Sequence, residues 1–301
     1  MTQPESTTLL LGSSGQLGAE LAATLPATGR VVTSARSDAD YPCDLSDSDA
    51  VTKLLETVRP DHIVNAAAFT GVDQAETDLA AAQRLNAGLP AQLAAYLQPH
   101  NGILVHYSTD YVFPGSASTP YEETNTPAPV NAYGASKLAG EEQIRAANVR
   151  HLIFRTAWVY GRYGNNFVKT IVRLAKERET LSIVDDQFGR PTSAQFLAKA
   201  SMQAFAAATK DDISGTFHLS ASGEPVSWYG FALQFLAWTQ THQAPQKLAK
   251  PSPVDSTAFP SPARRPAYSV LDNTLFETVF GIEVPHWKVQ LEESLPGFPW
   301  D

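Results

Sequence analysis

Short apolar runs of strand length recur along about the first 220 residues, separated by amphipathic stretches rich in alanine and leucine. The runs are TTLLLG, RVVTS, HIVNAAA, ILVHYS, HLIFRTAW, LSIV and TFHLS. Alternation of strands and helices at this spacing is typical of βαβ units, in which helices cover both faces of a parallel sheet. The sequence therefore predicts an α/β fold, a Rossmann-type doubly wound parallel sheet.

The alternation stops after about residue 220. PVSWYGFALQFLAWTQ predicts a helix that starts near Pro225, and the proline-rich residues 250–270 predict mostly loop. Two short helices are expected at about 272–280 and 287–295. Since this tail cannot extend the βαβ series, we expect a smaller C-terminal region over the carboxyl ends of the strands, where open α/β sheets hold ligands.

Composition and charge exclude several classes of protein. A hydrophobic content of 43% supports a globular core, and a net charge of −9 disfavours a general nucleic-acid binder. The single cysteine, Cys43, excludes an internal disulfide framework and a multi-cysteine metal site. The sequence shows no signal peptide and no apolar run of about 18 residues, so we expect a soluble, cytoplasmic protein without membrane contact.

A glycine-rich turn follows the first predicted strand. In LLLGSSGQLGAEL, the glycines Gly12, Gly15 and Gly18 stand where the strand passes into a helix. Glycines there permit a tight turn and close approach of a pyrophosphate, and the helix N-terminus attracts the phosphates. The pattern in this context predicts a dinucleotide site; the alternative is a glycine-rich turn without a ligand.

The residues after the second strand bear on which dinucleotide binds. An acidic residue about 20 positions after the glycines holds the ribose of NAD, but Ala35 and Arg36 stand there instead. Because arginine binds phosphate through charge-assisted hydrogen bonds, we favour NADP(H), with Asp44 and Leu45 flanking the adenine. Arg36 as a solvated surface charge is the alternative, and NADH stays an alternative cofactor.

Three side chains form the predicted catalytic set. In NAYGASKLAGEE, Tyr133 and Lys137 are four residues apart and so share one helix face, while Thr109 ends the fourth strand in HYSTDYVF. A tyrosine can deliver the proton that ketone reduction requires, a nearby lysine cation lowers the pKa of the phenol, and a threonine hydroxyl positions the substrate oxygen. The alternatives are a capping or packing role for Thr109 and a surface tyrosine.

These motifs resemble the extended short-chain dehydrogenase/reductase superfamily and, within it, the dTDP-4-dehydrorhamnose reductases. The resemblance rests on GSSGQLG, VNAAAFTGVDQAE, HYSTDYVFPG, YGASKLAGE, FRTAWVYG, GNNFVKTIVRLAKE and DQFGRPTSA, and it extends from about residue 8 to about residue 290. It implies reduction of the C4 ketone of dTDP-4-dehydro-L-rhamnose by NAD(P)H. In that reaction Tyr133 would match the proton donor, Lys137 its partner and Thr109 the polarising hydroxyl.

The resemblance also implies the ligand-binding residues. Gly15, Gln16 and Leu17 match the pyrophosphate turn. Other positions matching the cofactor site are Ala67, Ala68, Phe69, Thr70 and Tyr107. Asp110 and Trp158 match sugar contacts, and loop residues proposed for the nucleotide are Asn165, Asn166, Arg190, Arg264 and Arg265. For Trp158 a core position is the alternative, and for the loop residues a solvated or structural role.

Two further features concern metal and oligomeric state. Some members of the family dimerise through Mg²⁺ held by glutamates; Glu20 matches one such position, but Gln195 and Gly297 occupy the others. We therefore expect no metal site, and the oligomeric state stays open, a homodimer included. The predicted division places residues 1–160 and about 186–220 in an NADP(H)-binding domain, and about 161–185 and 221–301 in a smaller nucleotide-sugar-binding domain.

Two other functions remain open at the level of the sequence. A related dTDP-sugar reductase, dehydratase or epimerase uses the same fold, although the dehydratases pair a carboxylate with an adjacent Glu that is missing after Asp110. A non-catalytic regulatory subunit, like that of methionine adenosyltransferase, also resembles this reductase family. Retained NAD⁺ would favour the first, and a copurifying partner enzyme would favour the second.

Overall fold

The computed structural model describes residues 6–25, 29–243 and 247–300. The strands are β1 (Thr7–Leu11), β2 (Arg30–Ser34), β3 (His62–Asn65), β4 (Ile103–Thr109), β5 (Arg150–Thr156), β6 (Val159–Tyr160), β7 (Thr180–Val184), β8 (Phe188–Gly189), β9 (Thr192–Ser193), β10 (Gly215–His218), β11 (Val226–Ser227) and β12 (Lys250–Val254). Six of them form one parallel sheet in the order β10-β5-β4-β3-β1-β2. The predicted doubly wound parallel sheet is confirmed.

Helices cover both faces of this sheet. They are α1 (Gln16–Thr24), α2 (Ser48–Val58), α3 (Val72–Ala75), α4 (Leu79–Gln83), α5 (Leu89–Leu97), α6 (Ala132–Ala146), α7 (Phe167–Glu177), α8 (Ala194–Asp211), α9 (Trp228–His242), α10 (Thr274–Phe280) and α11 (Trp287–Ser294). One turn of π-helix, Arg84–Gly88, joins α4 to α5. The helices predicted near 225, 272–280 and 287–295 are confirmed as α9, α10 and α11.

Two apolar cores lie on opposite faces of the sheet. Successive strand residues point to opposite faces, so Leu9 and Leu11 pack with α2 and α5, whereas Leu10 packs with α1 and α8. All of these leucines are fully buried. Burial on both faces explains why the strands read as continuous apolar runs rather than as alternating ones.

The segment LSIV forms a strand, but not in the central sheet. As β7 it pairs in parallel with β12. Leu181 and Ile183 of β7 pack into a third apolar core together with residues of α7, α9 and α11. The prediction of loop for 250–270 is therefore wrong for its first five residues. Pro251 and Pro253 lack a backbone N–H, and a two-stranded edge pairing tolerates them because one side of the strand needs no donors.

The chain reverses direction across the sheet at β1. It passes from β1 to β2 on one side and returns to β3 on the other, so the segments after β1 and β3 diverge from a shared crevice. Ligands bind at such a switch point at the carboxyl ends of the strands. Within the described ranges, no helix is both long and apolar enough to cross a membrane.

Close packing of α1 on β1 depends on Gly18. A Cβ at this position would lie 1.9 Å from the carbonyl oxygen of Gly12, which is backbone and cannot rotate away. We expect Gly18→Ala to lower the free energy of unfolding by about 1–3 kcal/mol, because α1 must shift from the sheet. Urea denaturation measures the loss.

Gly297→Ala is the matched control for this substitution. The nearest atom to a Cβ at Gly297 is 3.8 Å away, an ordinary contact, so we expect no loss of stability. An equal loss in both variants would show that the contact with Gly12 does not limit the position of α1.

Candidate active site

The glycine turn after β1 has the geometry of an anion-binding turn. Gly12 adopts φ +77°, and a Cβ there would lie 2.8 Å from the backbone nitrogen of Ala67 on the segment after β3. Gly15 is the N-cap of α1 and provides no side-chain cap, so the first N–H groups of that helix remain for another acceptor. The turn can therefore take a phosphate at the helix N-terminus.

Two buried hydroxyl groups border this turn without a partner. Ser13 follows Gly12, and Ser34 ends the neighbouring strand β2; both are buried, and the Oγ of each lacks a hydrogen bond. Buried polar atoms are normally paired, so these two fit a polar ligand lying across the ends of β1 and β2. The residues present therefore fit the phosphate and ribose groups of a dinucleotide.

The residues predicted to bind the adenosine part of the cofactor follow β2 in the chain. Ala35 and Leu45 are buried, and Arg36 is exposed. Asp44 accepts hydrogen bonds from the hydroxyl and backbone of Ser46, which hold the pKa of its carboxyl below the usual range, and Arg36 contributes in the same direction. The guanidinium of Arg36 is therefore near Asp44 and open to a ligand.

The segment after β3, residues Ala67, Ala68, Phe69 and Thr70, is held by a residue that the sequence analysis missed. Fully buried Asn86 accepts from the backbone N–H of Phe69 (2.9 Å) and donates to its carbonyl (3.0 Å). It also donates to the Ser136 hydroxyl of α6 at 2.9 Å. Asn86 lies in the π-helical turn, a form often found at functional sites. Its only sequence signal was an amide within an apolar helical stretch.

Thr109, Asp110 and Tyr133 meet at the carboxyl end of β4. Tyr133 is in the first turn of α6, near enough to Thr109 for the threonine hydroxyl to lower the pKa of the phenol. The Thr109 hydroxyl itself donates to Asp110 Oδ1 at 2.9 Å. Asp110 is buried, and its other oxygen has no partner. The predicted threonine and tyrosine are thus neighbours, beside a carboxylate with an unused acceptor.

The expected lowering of the pKa of Tyr133 is wrong. Burial raises it, the Asp110 carboxylate raises it further, and the bond to Thr109 lowers it only partly, leaving a pKa of about 12. Burial likewise raises the pKa of Asp110 to about 6. The phenol is therefore protonated at neutral pH, as a proton donor must be.

Lys137 is one helical turn from Tyr133 but is directed into the protein. It is 1% exposed, and its Nζ donates to the carbonyl oxygen of Tyr107 at 2.6 Å and lies 3.3 Å from His106 Nε2. Burial lowers the pKa of Lys137 to about 8, although the Glu141 carboxylate acts to raise it. The sequence analysis did not identify His106.

A buried ion pair lies one turn further along α6. Glu141 accepts two hydrogen bonds from Arg155 of β5, at 2.9 and 2.7 Å, and one from the Ser108 hydroxyl at 2.5 Å. Both charged side chains are at most 3% exposed. These hydrogen bonds link α6 to β4 and β5. They therefore help to fix the position of Tyr133, on the same helix, relative to the carboxyl end of β4.

Beside these residues is a cavity of about 850 Å³, a size that suits a small-molecule ligand. Its walls come from the segment after β4, from α7, β7 and α9, and from residues 256–265. Thr109 and Tyr133 are not in its lining. Arg265 lines the cavity, and its charge acts on Tyr111, whose ring packs edge-on to that of Tyr133 with 5.9 Å between ring centroids.

Two of the predicted arginines face the cavity. Arg264 and Arg265 both line it, and Arg265 pairs with Asp73 at 2.8 Å. Asp73 follows β3, so this pair joins the proline-rich loop to the sheet. Arg190 donates from Nη1 to the carbonyl of Leu271, while its buried Nε lacks a partner.

Trp158 stacks on another tryptophan. Its ring and that of Trp228 have centroids 3.4 Å apart and planes within 3°, and Trp228 lines the cavity. Trp158 also has φ +51°, unusual for a bulky residue, and its ring lies against Gly189. Its contact with a sugar remains a prediction.

Three other predicted site residues, Asn166, Gln16 and Tyr107, make hydrogen bonds within the protein. Asn166 caps α7 and donates to Gln16 Oε1 at 2.8 Å, linking that helix to the glycine turn. The side chain of Tyr107 is in the core, with its hydroxyl 2.7 Å from Ser201, so only its backbone faces Lys137.

Glu20 belongs to an ion pair. Its two oxygens accept from Arg162 at 3.0 and 3.1 Å, and Glu20 is buried. Gln195 is exposed at the start of α8, and Gly297 lies beside the stem of Arg162. Arg162 thus supplies a positive charge to this carboxylate from within the chain.

Comparison with known proteins matches nearly the whole chain to one family. The family model described as the RmlD substrate binding domain matches residues 6–298. The dTDP-4-dehydrorhamnose reductase of Burkholderia thailandensis is 45% identical over 287 residues, covering 93% of this chain and 95% of that protein. The enzyme of the same name from Escherichia coli K12 is 42% identical over 288 residues, covering 95% and 96%.

A solved structure is similar along the whole chain. The crystal structure of dTDP-4-dehydrorhamnose reductase from Bacillus anthracis, in complex with NADP, superimposes with a TM-score of 0.86 at 33% identity. The match covers 98% of this chain and 100% of that one.

Proposed function

The chain belongs to the dTDP-4-dehydrorhamnose reductase family, and on that premise we propose that it reduces the C4 ketone of dTDP-4-dehydro-L-rhamnose to dTDP-L-rhamnose with NADPH. The observation that carries the proposal is the meeting of Tyr133, Thr109 and Asp110 at the carboxyl end of β4. Fold likeness alone would not distinguish a reductase from an epimerase.

A bound NADPH would supply the hydride that the ketone carbon accepts. Tyr133, held protonated by its raised pKa, gives its hydroxyl proton to the ketone oxygen. On substrate binding, Thr109 would redirect its hydroxyl proton from Asp110 to the same oxygen and steady the negative charge that develops there. One hydride and one proton together convert the ketone to the alcohol, and Tyr133 is left to regain a proton.

The other ligand groups are assigned to residues of matching charge and position. The uncapped N-terminus of α1 and residues Gly12–Gly18 would hold the pyrophosphate of the cofactor. Arg264 and Arg265 would bind the diphosphate of the nucleotide sugar, since guanidinium groups bind phosphate well. Asp110, with its unused oxygen, would accept from a sugar hydroxyl.

The activity is tested by following NADPH absorbance with dTDP-4-dehydro-L-rhamnose and identifying the product by NMR. We expect stoichiometric NADPH oxidation and dTDP-L-rhamnose. If the product were the dTDP-talose isomer, the proposed stereochemistry would be wrong, but the proposed ketone reduction would stand. No turnover with intact NADPH binding would reject the proposal, and the same assay on protein purified with a partner enzyme would test the regulatory alternative.

Arg36 is proposed to select NADPH through the 2′-phosphate. We expect Arg36→Ala to lower kcat/KM for NADPH by about tenfold or more, because a charge-assisted hydrogen bond is lost. The value for NADH should change little, since NADH has no phosphate at that position. Steady-state kinetics with both cofactors measure the ratio.

The control for this variant is Arg178→Ala, which removes an exposed arginine after α7. It should leave kcat/KM unchanged for both NADPH and NADH. If Arg36→Ala lowered kcat/KM equally for the two cofactors, Arg36 would not bind the 2′-phosphate. The proposed division into a cofactor domain and a smaller sugar domain, and a homodimer, remain predictions.

A further inference from the structure

A chain of three buried side chains leads away from the catalytic tyrosine through the sheet. Asn65 of β3 and His106 of β4 are adjacent across the parallel pairing, and both are almost completely buried. Asn65 Nδ2 lies 3.2 Å from His106 Nδ1, and His106 Nε2 lies 3.3 Å from Lys137 Nζ. The family resemblance makes Lys137 the partner of Tyr133, but neither it nor the proposed reaction gives a role to Asn65 or His106.

The orientation of the Asn65 amide is decided by the backbone. The N–H of Ala67 points at Asn65 and can only donate, so the atom 3.2 Å from it must be the amide oxygen. The amide nitrogen therefore faces His106 and donates to Nδ1. Since a neutral imidazole has one donor and one acceptor nitrogen, its proton must be on Nε2.

His106 is neutral in this environment. Burial, and then the nearby lysine, hold the pKa of its ring well below the usual value. Its Nε2–H consequently points at Lys137 Nζ. An ammonium group has only donors and cannot accept this hydrogen bond, whereas a neutral amine has a lone pair that can.

We propose that Asn65 and His106 are positioning residues for Lys137: Asn65 holds the imidazole as its Nε2–H tautomer, and this ring proton favours the neutral amine of Lys137. The arrangement limits the pH range in which Lys137 is a cation beside Tyr133. This consequence rests on the proposed function, whereas the tautomer and the lysine equilibrium do not.

The other groups around Lys137 are accounted for. The Tyr107 carbonyl of β4 accepts from either form of the lysine, and Tyr133 is one turn back on α6. Glu141, one turn on, favours the cation, but its charge is shared with Arg155 from β5 and Arg145 on α6. Beyond Tyr133, Asp110 acts on the phenol.

The tautomer is measured first, on the unmodified, ligand-free protein. Long-range ¹H–¹⁵N spectra distinguish the two neutral tautomers and the imidazolium; the chain has seven histidines, and backbone assignment identifies His106. We expect Nε2–H between pH 6 and 8. An Nδ1–H tautomer or an imidazolium would overturn the proposal, and this measurement needs neither activity nor a variant.

The second measurement reverses the tautomer with Asn65→Asp. The introduced carboxylate accepts from Nδ1–H, so Nε2 becomes an acceptor that stabilises the ammonium. In spectra of protein labelled with [¹³Cε]lysine, we expect the Lys137 titration midpoint to rise by about one pH unit or more, a tenfold change in the equilibrium. An unchanged midpoint in a folded variant whose tautomer has reversed would refute the coupling.

Asn273→Asp is the matched control. Asn273 is also a buried asparagine, bonded to the backbone N–H and carbonyl of Ser220, and none of its hydrogen bonds reaches His106 or Lys137. It should leave the Lys137 midpoint in place; an equal rise there would assign the effect to a general change of charge and would reject the proposal.

Activity provides a third readout. Because the cation is present below the pKa of Lys137 and lost above it, the rate of reduction should fall as the pH rises through that pKa. In Asn65→Asp this decrease in rate should occur at higher pH, together with the shift of the Lys137 titration midpoint. Absent activity with the expected NMR results would reject the proposed reaction but not the tautomer, so the two failures are distinguishable.

Discussion

Tyr133→Phe is expected to reduce kcat by about 10²- to 10⁴-fold, the usual contribution of a positioned general acid. Phenylalanine keeps the ring, which packs edge-on against Tyr111 at 5.9 Å, and removes only the hydroxyl. The ketone oxygen then has no adjacent acid, while Thr109 can still orient it. KM should change little, because the lost interaction serves the transition state more than the bound substrate.

The readout is steady-state kinetics with NADPH and the dTDP-keto sugar, accompanied by NADPH binding measured by fluorescence. Tyr96→Phe is the matched control: Tyr96 is a partly exposed tyrosine on α5 that packs on His100, and its loss of a hydroxyl should leave kcat unchanged. A decrease of less than about fivefold in Tyr133→Phe would show that another group donates the proton.

Glu141→Ala is expected to lower the free energy of unfolding by about 3–5 kcal/mol, since it leaves the Arg155 guanidinium buried without a counter-ion. Two hydrogen bonds from Arg155 and the one from Ser108 are lost together. Urea denaturation measures the change. Glu177→Ala, which breaks the exposed i,i+4 pair with Arg173, is the control and should cost less than about 0.5 kcal/mol.

The same pair gives this prediction a pH dependence. Burial raises the pKa of Glu141, but the hydrogen bonds and charge of Arg155 outweigh this and hold it below its usual value. The stabilisation by the carboxylate is therefore complete above the unfolded-state pKa, about 4.3, and is lost as pH falls through the folded value. The stability difference between the native protein and Glu141→Gln should narrow below about pH 4. A constant difference would show that the charge of Glu141 contributes nothing.

Much of the local structure follows from short-range patterns. The spacing of the apolar runs predicted the parallel sheet and the covering helices, and the segments PVSWYGFALQFLAWTQ, 272–280 and 287–295 predicted α9–α11. The glycine turn was predictable because only glycine fits φ +77° at Gly12 and the close approach at Gly18. LSIV was different, because nothing near it in sequence identifies β12, some 70 residues later, as its partner.

The amino-acid sequence by itself determined the fold class, the turn for a phosphate, and the placement of Tyr133 and Lys137 on one face of a helix, because periodicity and spacing act within a few residues. Only the tertiary structure decided what these side chains face. The raised pKa of Tyr133 comes from burial and Asp110, and the environment of Lys137 comes from His106 and Asn65, which other strands contribute. Burial and long-range contacts set charge states, and no local pattern encodes them.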